Sequence, residues 1–161
     1  MSSPSSPFST PRWKFDVCLC FRGEDTRNNF ANLLDTALKQ KGVLVFNDKI
    51  IGRGKLILRE ILEAIEVSRF AIVILSRNYA SSTFCLDELV KVVSCRHVTG
   101  MTVLPVFYYV DPSDVLRLRG TFGEYFAWHE ERFKEDMEKV QMWRAALTEV
   151  ASLSGWHIRD G

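Results

Sequence analysis

The sequence predicts an α/β fold: a flavodoxin-like, doubly wound parallel sheet of four or five strands with helices on both faces. Three observations carry this expectation. Short apolar, β-prone runs alternate with segments of helical apolar spacing along the chain, the pattern of βαβ units with right-handed crossovers. The first apolar run, Val17 to Phe21, is nearly continuous, as in a strand covered on both faces. That run leads directly into the polar turn Arg22-Gly23-Glu24-Asp25, and in open α/β sheets ligands bind where a strand's carboxyl end meets such a loop.

The elements follow in order. The first strand covers residues 15–21; Gly23 is expected to permit a tight turn, with Asp25 or Thr26 capping the next helix. That helix starts near Thr26 and carries Phe30, Leu33, Leu34, Ala37 and Leu38 at amphipathic spacing, ending at Gly42. A short strand over 43–46 precedes a polar loop, 47–55, centred on Gly52-Arg53-Gly54. The second helix presents Ile57, Leu58, Ile61, Leu62 and Ile65 on one face, and the third strand is 70–75. The third helix runs from about Ser82 to His97, and the fourth strand spans 101–108. Pro105 within that strand donates no ladder hydrogen bond and points to a position near the sheet edge or to a bulge. Asp111-Pro112-Ser113 reads as a turn, residues 122–133 and 135–153 as helices, and 155–158 as a short fifth strand.

Composition sets bounds on function. A chain of 161 residues is long enough for one domain with a real core. Its 21 basic and 20 acidic residues give a net charge of +1, so no global charge draws it to nucleic acid or to a membrane surface. No apolar run is long enough to span a bilayer. Residues 1–13, rich in Ser and Pro, read as a disordered tail without the apolar stretch of a secretory signal. The domain then occupies residues 14–161. Cys18, Cys20, Cys85 and Cys95 lack metal-ligand spacing and read as small core residues of a protein in a reducing compartment. The expected location is cytoplasmic, with the nucleus a further possibility. Neither a Gly-x-Gly-x-x-Gly nor a Walker lysine loop is present, which argues against a flavodoxin-like cofactor carrier.

The third helix holds the best candidate for chemistry. Leu86, Leu89, Val90 and Val93 form its expected buried stripe, and Glu88 lies about 160° or more from the stripe's centre at roughly 100° per residue. Phe84 is on the same side as Glu88, one turn earlier. Two readings of Glu88 stand at this point: the carboxylate of a cleft floored by an aromatic ring, or a solvated side chain paired with Lys91. Arg22 and Arg53, in loops after strands, are either anion contacts or surface arginines. Glu24, Asp25 and Arg27 read as a charge network at a helix start, and His97 as a helix-dipole partner.

Residues 15–27, Phe-Asp-Val-Cys-Leu-Cys-Phe-Arg-Gly-Glu-Asp-Thr-Arg, resemble the opening motif of plant-type TIR domains, found at the N-terminus of intracellular nucleotide-binding, leucine-rich-repeat immune receptors. Further matching segments are Gly54 with Ile57, Ala64-Ile-Glu66, residues 76–80, Cys85-Leu-Asp-Glu-Leu89, Pro105-Val-Phe-Tyr108, Val110-Asp-Pro-Ser113 and Gly155-Trp-His157. The resemblance covers nearly the whole chain after the tail. It implies a three-layer αβα sandwich with a five-stranded sheet in the order 2-1-3-4-5, and association with other TIR domains through helical surfaces. It also implies assembly-dependent cleavage of NAD or NADP, as substrate rather than as a permanently bound cofactor, with no metal. Glu88 falls on the family's catalytic position, and Phe21, Arg22, Gly23, Arg53, Ser82 and Phe84 on its nucleotide contacts. The sequence departs from the family where Phe84 stands for Trp, Thr83 for Arg, Cys20 for Ser, and Asn32-Leu33 for a Ser-His pair at a self-association surface. A second such surface falls near Gly120, where Leu116 and Leu118 make the segment more apolar than usual. The family's further helix after residues 155–157 is absent, so the chain is expected to be a fragment of a longer receptor.

Overall fold

Five strands form one all-parallel sheet in the order β2-β1-β3-β4-β5 in this computed structural model, which describes residues 13–26, 29–47 and 55–159. The strands are β1 (Phe15–Cys20), β2 (Val45–Phe46), β3 (Ser68–Leu75), β4 (Thr102–Tyr108) and β5 (Trp156–Ile158). The helices are α1 (Gly23–Thr26), α2 (Phe30–Gln40), α3 (Lys55–Glu66), α4 (Thr83–Val98), α5 (Pro112–Leu116), α6 (Thr121–Arg132) and α7 (Met137–Ala151). A 3₁₀ turn, Tyr79–Ser81, precedes α4. The expected strand order and all five strands are therefore present. The Asp111-Pro112-Ser113 turn continues into a helix, α5; Asp111 caps it by accepting from Ser113 N at 2.8 Å, and Pro112 supplies a first-turn φ without needing a partner for an N–H.

The period-two alternation of β1 divides the core. Cys18 and Cys20 enter the larger cluster with α3, α4, α6 and α7, while Val17, Leu19 and Phe21 enter a smaller one under α2. All four cysteines are buried free thiols. Burial raises the Cys95 thiol above its usual range. Cys20 is raised well above it, first by a hydrogen bond with Cys18 and then by burial.

Two amphipathic faces differ from expectation. In α2, Ala31 and Asp35 are buried and Phe30, Leu34 and Leu38 pack against the small cluster, whereas Leu33 is 68% exposed. The buried face centres near residues 31 and 34, and Leu33 points roughly 130° away from it at 100° per residue. In α4, Cys85, Leu86, Leu89, Val92 and Cys95 are buried, and Val90 and Val93 only partly so. The reason is that α4 packs against α3 and α7 as well as the sheet, so its apolar side chains wrap around the helix and no single stripe describes them. Among the described residues, no helix is long and apolar enough to cross a membrane.

Pro105 lies near the sheet edge, one strand in, and the β3–β4 register runs through it without a bulge. It lies within β4, opposite Val73 of β3, with β5 on the other side. Its carbonyl faces Gly155, so its missing N–H faces the same side, where the β4–β5 ladder begins only at Val106↔Trp156. A Cβ on Gly155 would stand 2.0 Å from the Pro105 carbonyl oxygen and 2.7 Å from its Cγ. The Gly155→Ala variant is therefore expected to push β5 off its neighbour and to lose about 1–3 kcal/mol in urea unfolding. A midpoint unchanged from wild type would refute that close approach.

Candidate active site

At the carboxyl edge of the sheet, the loops after β1 and β3 are bonded to each other. Phe21, 4% exposed, follows β1, and Arg22 then turns the chain into α1. Gly23 occupies the first position of that short helical turn. After β3, Ser76 and Asn78 lead through the 3₁₀ turn to Ser82 and α4. Asp25 joins the loops: its carboxylate accepts from Ser76 Oγ at 2.5 Å, Asn78 N at 3.1 Å, Asn78 Nδ2 at 3.4 Å and Arg22 Nη1 at 3.0 Å. The helix-capping role expected of Asp25 or Thr26 belongs to Asn29, whose Oδ1 accepts from Phe30 N at 2.5 Å. Asp25 is committed to the neighbouring loop instead.

Arg22 is held at all three guanidinium nitrogens. Nε donates to Ser81 Oγ at 3.0 Å, Nη1 to Asp25, and Nη2 to Glu24 Oε1 at 2.6 Å. The charge network read at this helix start is thus present for Glu24 and Asp25, while Arg27 lies outside the described residues. Asn78 extends the network outward, its Oδ1 accepting from Tyr125 OH at 2.8 Å.

Ser82 is the N-cap of α4, its Oγ accepting from Cys85 N at 3.1 Å. Phe84, in the first helical turn, is half-buried against the larger core cluster. Glu88 follows one turn later and is only 4% exposed. Lys91 pairs with Glu66 of α3 at 3.0 Å, and Glu88 is buried rather than solvated. Glu88 instead sits within electrostatic reach of two buried protonated groups. Tyr79 is raised well above the usual phenol range, chiefly by burial and further by Cys85, Cys20 and Glu88. The Glu88 charge contributes to raising Cys20 as well. Tyr79 OH donates to the Cys85 carbonyl at 3.2 Å, and Cys85 Sγ lies 3.7 Å from the Phe21 carbonyl, which fixes the start of α4 against the end of β1.

The structure thus gathers Phe21, Arg22, Gly23, Ser82, Phe84 and Glu88 at one edge of the sheet; Arg53 lies outside the described residues. His97 is not part of this edge: its Nε2 is 2.8 Å from Glu149 Oε2 of α7, a carboxylate shared with Arg96. Tyr79, Ser81 and Asn78 were missed as site-building residues, because only tertiary folding brings them beside Arg22 and Asp25. Asp25→Ala is expected to leave Ser76, Asn78 and Arg22 without their shared acceptor. The loss should be about 2 kcal/mol, read as a fall in thermal midpoint; a midpoint equal to wild type would show that the two loops are held together by other means.

Comparison with known proteins fits this geometry. The TIR domain family model matches residues 14–161. Disease resistance protein RPV1 of Vitis rotundifolia is 51% identical over 160 residues, 99% of this chain and 11% of that protein. TMV resistance protein N of Nicotiana glutinosa is 47% identical over 152 residues, 94% of this chain and 13% of that protein. Among solved structures, the TIR domains of the activated Roq1 resistosome, which directly recognizes the pathogen effector XopQ, superpose with a TM-score of 0.84. The identity there is 47%, over 91% of this chain and 89% of that one. The chain spans only about a tenth of the length of the two resistance proteins. With the parallel 2-1-3-4-5 sheet, a family match over nearly every described residue and identities near one half, the chain belongs to the TIR domain family.

Proposed function

We propose that this chain is an immune-signalling TIR domain that self-associates and, once assembled, cleaves NAD or NADP at the nicotinamide–ribose bond. The observation that carries the reading is the Glu88 carboxylate, 4% exposed at the sheet's carboxyl edge and one turn along α4 from Phe84. Cleavage of the C1′–N bond leaves its electron pair on nicotinamide and oxocarbenium-like charge on the ribose, and water adds at C1′ with loss of a proton, giving ADP-ribose. In a dry site a carboxylate stabilises that developing cation or holds a ribose hydroxyl. Phe84 offers a stacking face, and Phe21, Arg22, Gly23, Arg53 and Ser82 are the remaining nucleotide contacts in this proposal.

The resistance-protein relatives support a role in plant defence, and the Roq1 assembly supports partnership with other TIR domains; signalling to cell death from the cytoplasm or nucleus is part of the same proposal. The exposed Leu33 on α2 and the segment around Gly120 are the surfaces proposed for it. Concentrated protein incubated with NAD tests the reading through nicotinamide release, with Glu88→Ala as the control. A second reading, a TIR–TIR interaction module with an inactive cleft, is favoured by Arg22, whose guanidinium is already occupied by three protein acceptors. Self-association and cell-death signalling that both survive Glu88→Ala would select it.

A further inference from the structure

The three acceptors on Arg22 are not equivalent. Ser81 and Asp25 bond to it in part-buried surroundings, and the Asp25 side chain is 13% exposed and further held by Ser76 and Asn78. Glu24 bonds to Nη2 at the solvent side, and its own side chain is 81% exposed. Arg22 is 23% exposed. The guanidinium is therefore fixed on its inner side by groups that build the fold, and covered on its outer side by a carboxylate free to rotate into water. An exposed ion pair of this kind is weak, because both charges remain hydrated and a long side chain must be held still.

A phosphate presents the same chemistry to a guanidinium as a carboxylate does, two anionic oxygens that match a fork of N–H donors. A diphosphate carries more charge than one carboxylate and competes well for that position. We propose that Glu24 is a built-in competitor for the outer face of Arg22, and that a diphosphate-bearing ligand must displace it to bind. This rests on the nucleotide reading given above, and it makes Glu24 a residue that tunes ligand affinity without touching the scissile bond. Asp25, half-buried and bonded on both sides, has the opposite task of holding Arg22 in place while Glu24 leaves.

The test titrates the domain with inorganic pyrophosphate by calorimetry, at fixed ionic strength, in four proteins: wild type, Glu24→Gln, Arg22→Gln and the double variant. Removing the competing charge is expected to tighten pyrophosphate binding about two- to fivefold, the range set by the strength of an exposed ion pair. The gain should vanish when Arg22 is glutamine. With NAD as substrate, Glu24→Gln should lower KM by the same factor and leave kcat unchanged, and its thermal midpoint should stay at the wild-type value. Three outcomes overturn the proposal: pyrophosphate that binds neither wild type nor Glu24→Gln, a Glu24→Gln protein that binds it no tighter, or an equal gain with and without Arg22, which would be general charge removal. The pyrophosphate titration does not depend on turnover. Failure of the NAD-cleavage reading would appear separately, as nicotinamide release that Glu88→Ala leaves intact.

Discussion

Replacing Glu88 by alanine is expected to lower nicotinamide release from NAD by about 10²- to 10⁴-fold, the span associated with losing one positioned carboxylate. The side chain is 4% exposed, so little water is available to take over its role at the ribose. Alanine is the best helix former, so the substitution keeps the backbone of α4. The folded state should therefore persist, and a thermal scan alongside the assay separates lost chemistry from lost structure. Glu88→Gln keeps the shape and removes the charge. If charge at the ribose is what matters, both variants lose turnover alike. Because activity is proposed to need assembly, the comparison is made at matched high protein concentration. Equal rates in wild type and both variants would end the catalytic assignment.

Trp143→Ala is expected to cost about 3–5 kcal/mol, the usual range for removing a large aromatic from a core. Trp143 is 1% exposed on α7, with its ring centroid 5.3 Å from Phe133 and 5.2 Å from the buried His129. Its indole Nε1 donates to Asp87 Oδ1 of α4 at 2.9 Å, so truncation both opens a cavity and strands a carboxylate between two helices. A loss of that size is a large share of the roughly 5–15 kcal/mol that holds a typical domain together. The thermal midpoint should fall by roughly 10 °C or more. Trp143→Phe fills most of the space and loses only the N–H, so it should cost about 1–2 kcal/mol. A Trp143→Ala midpoint within about 2 °C of wild type would mean that the α4–α7 seam does not depend on this ring.

The two variants probe different links between sequence and function. Trp143 acts through packing: α7 carries Val140, Trp143, Leu147 and Val150 at helical spacing, a pattern visible in the sequence. Glu88 acts through placement, which spacing alone left open between a cleft carboxylate and a surface pair with Lys91. Folding pairs Lys91 with Glu66 of α3 and buries Glu88 near the end of β1.

What the sequence determined by itself is the alternation of strands and helices, the double-sided burial of β1 and the family motifs, since all of these depend on neighbours a few residues apart. Their consequence, a parallel sheet in the order 2-1-3-4-5, is legible in the sequence. Tertiary structure alone decided which side of α2 is buried, how Pro105 is tolerated within β4, and that Asp25 bonds to the loop after β3 rather than capping α2. It also decided that Arg22 arrives at the edge already held by Ser81, Asp25 and Glu24. These outcomes depend on contacts between residues as many as 59 positions apart, as in Arg22–Ser81, and local periodicity carries no information about which distant groups will meet.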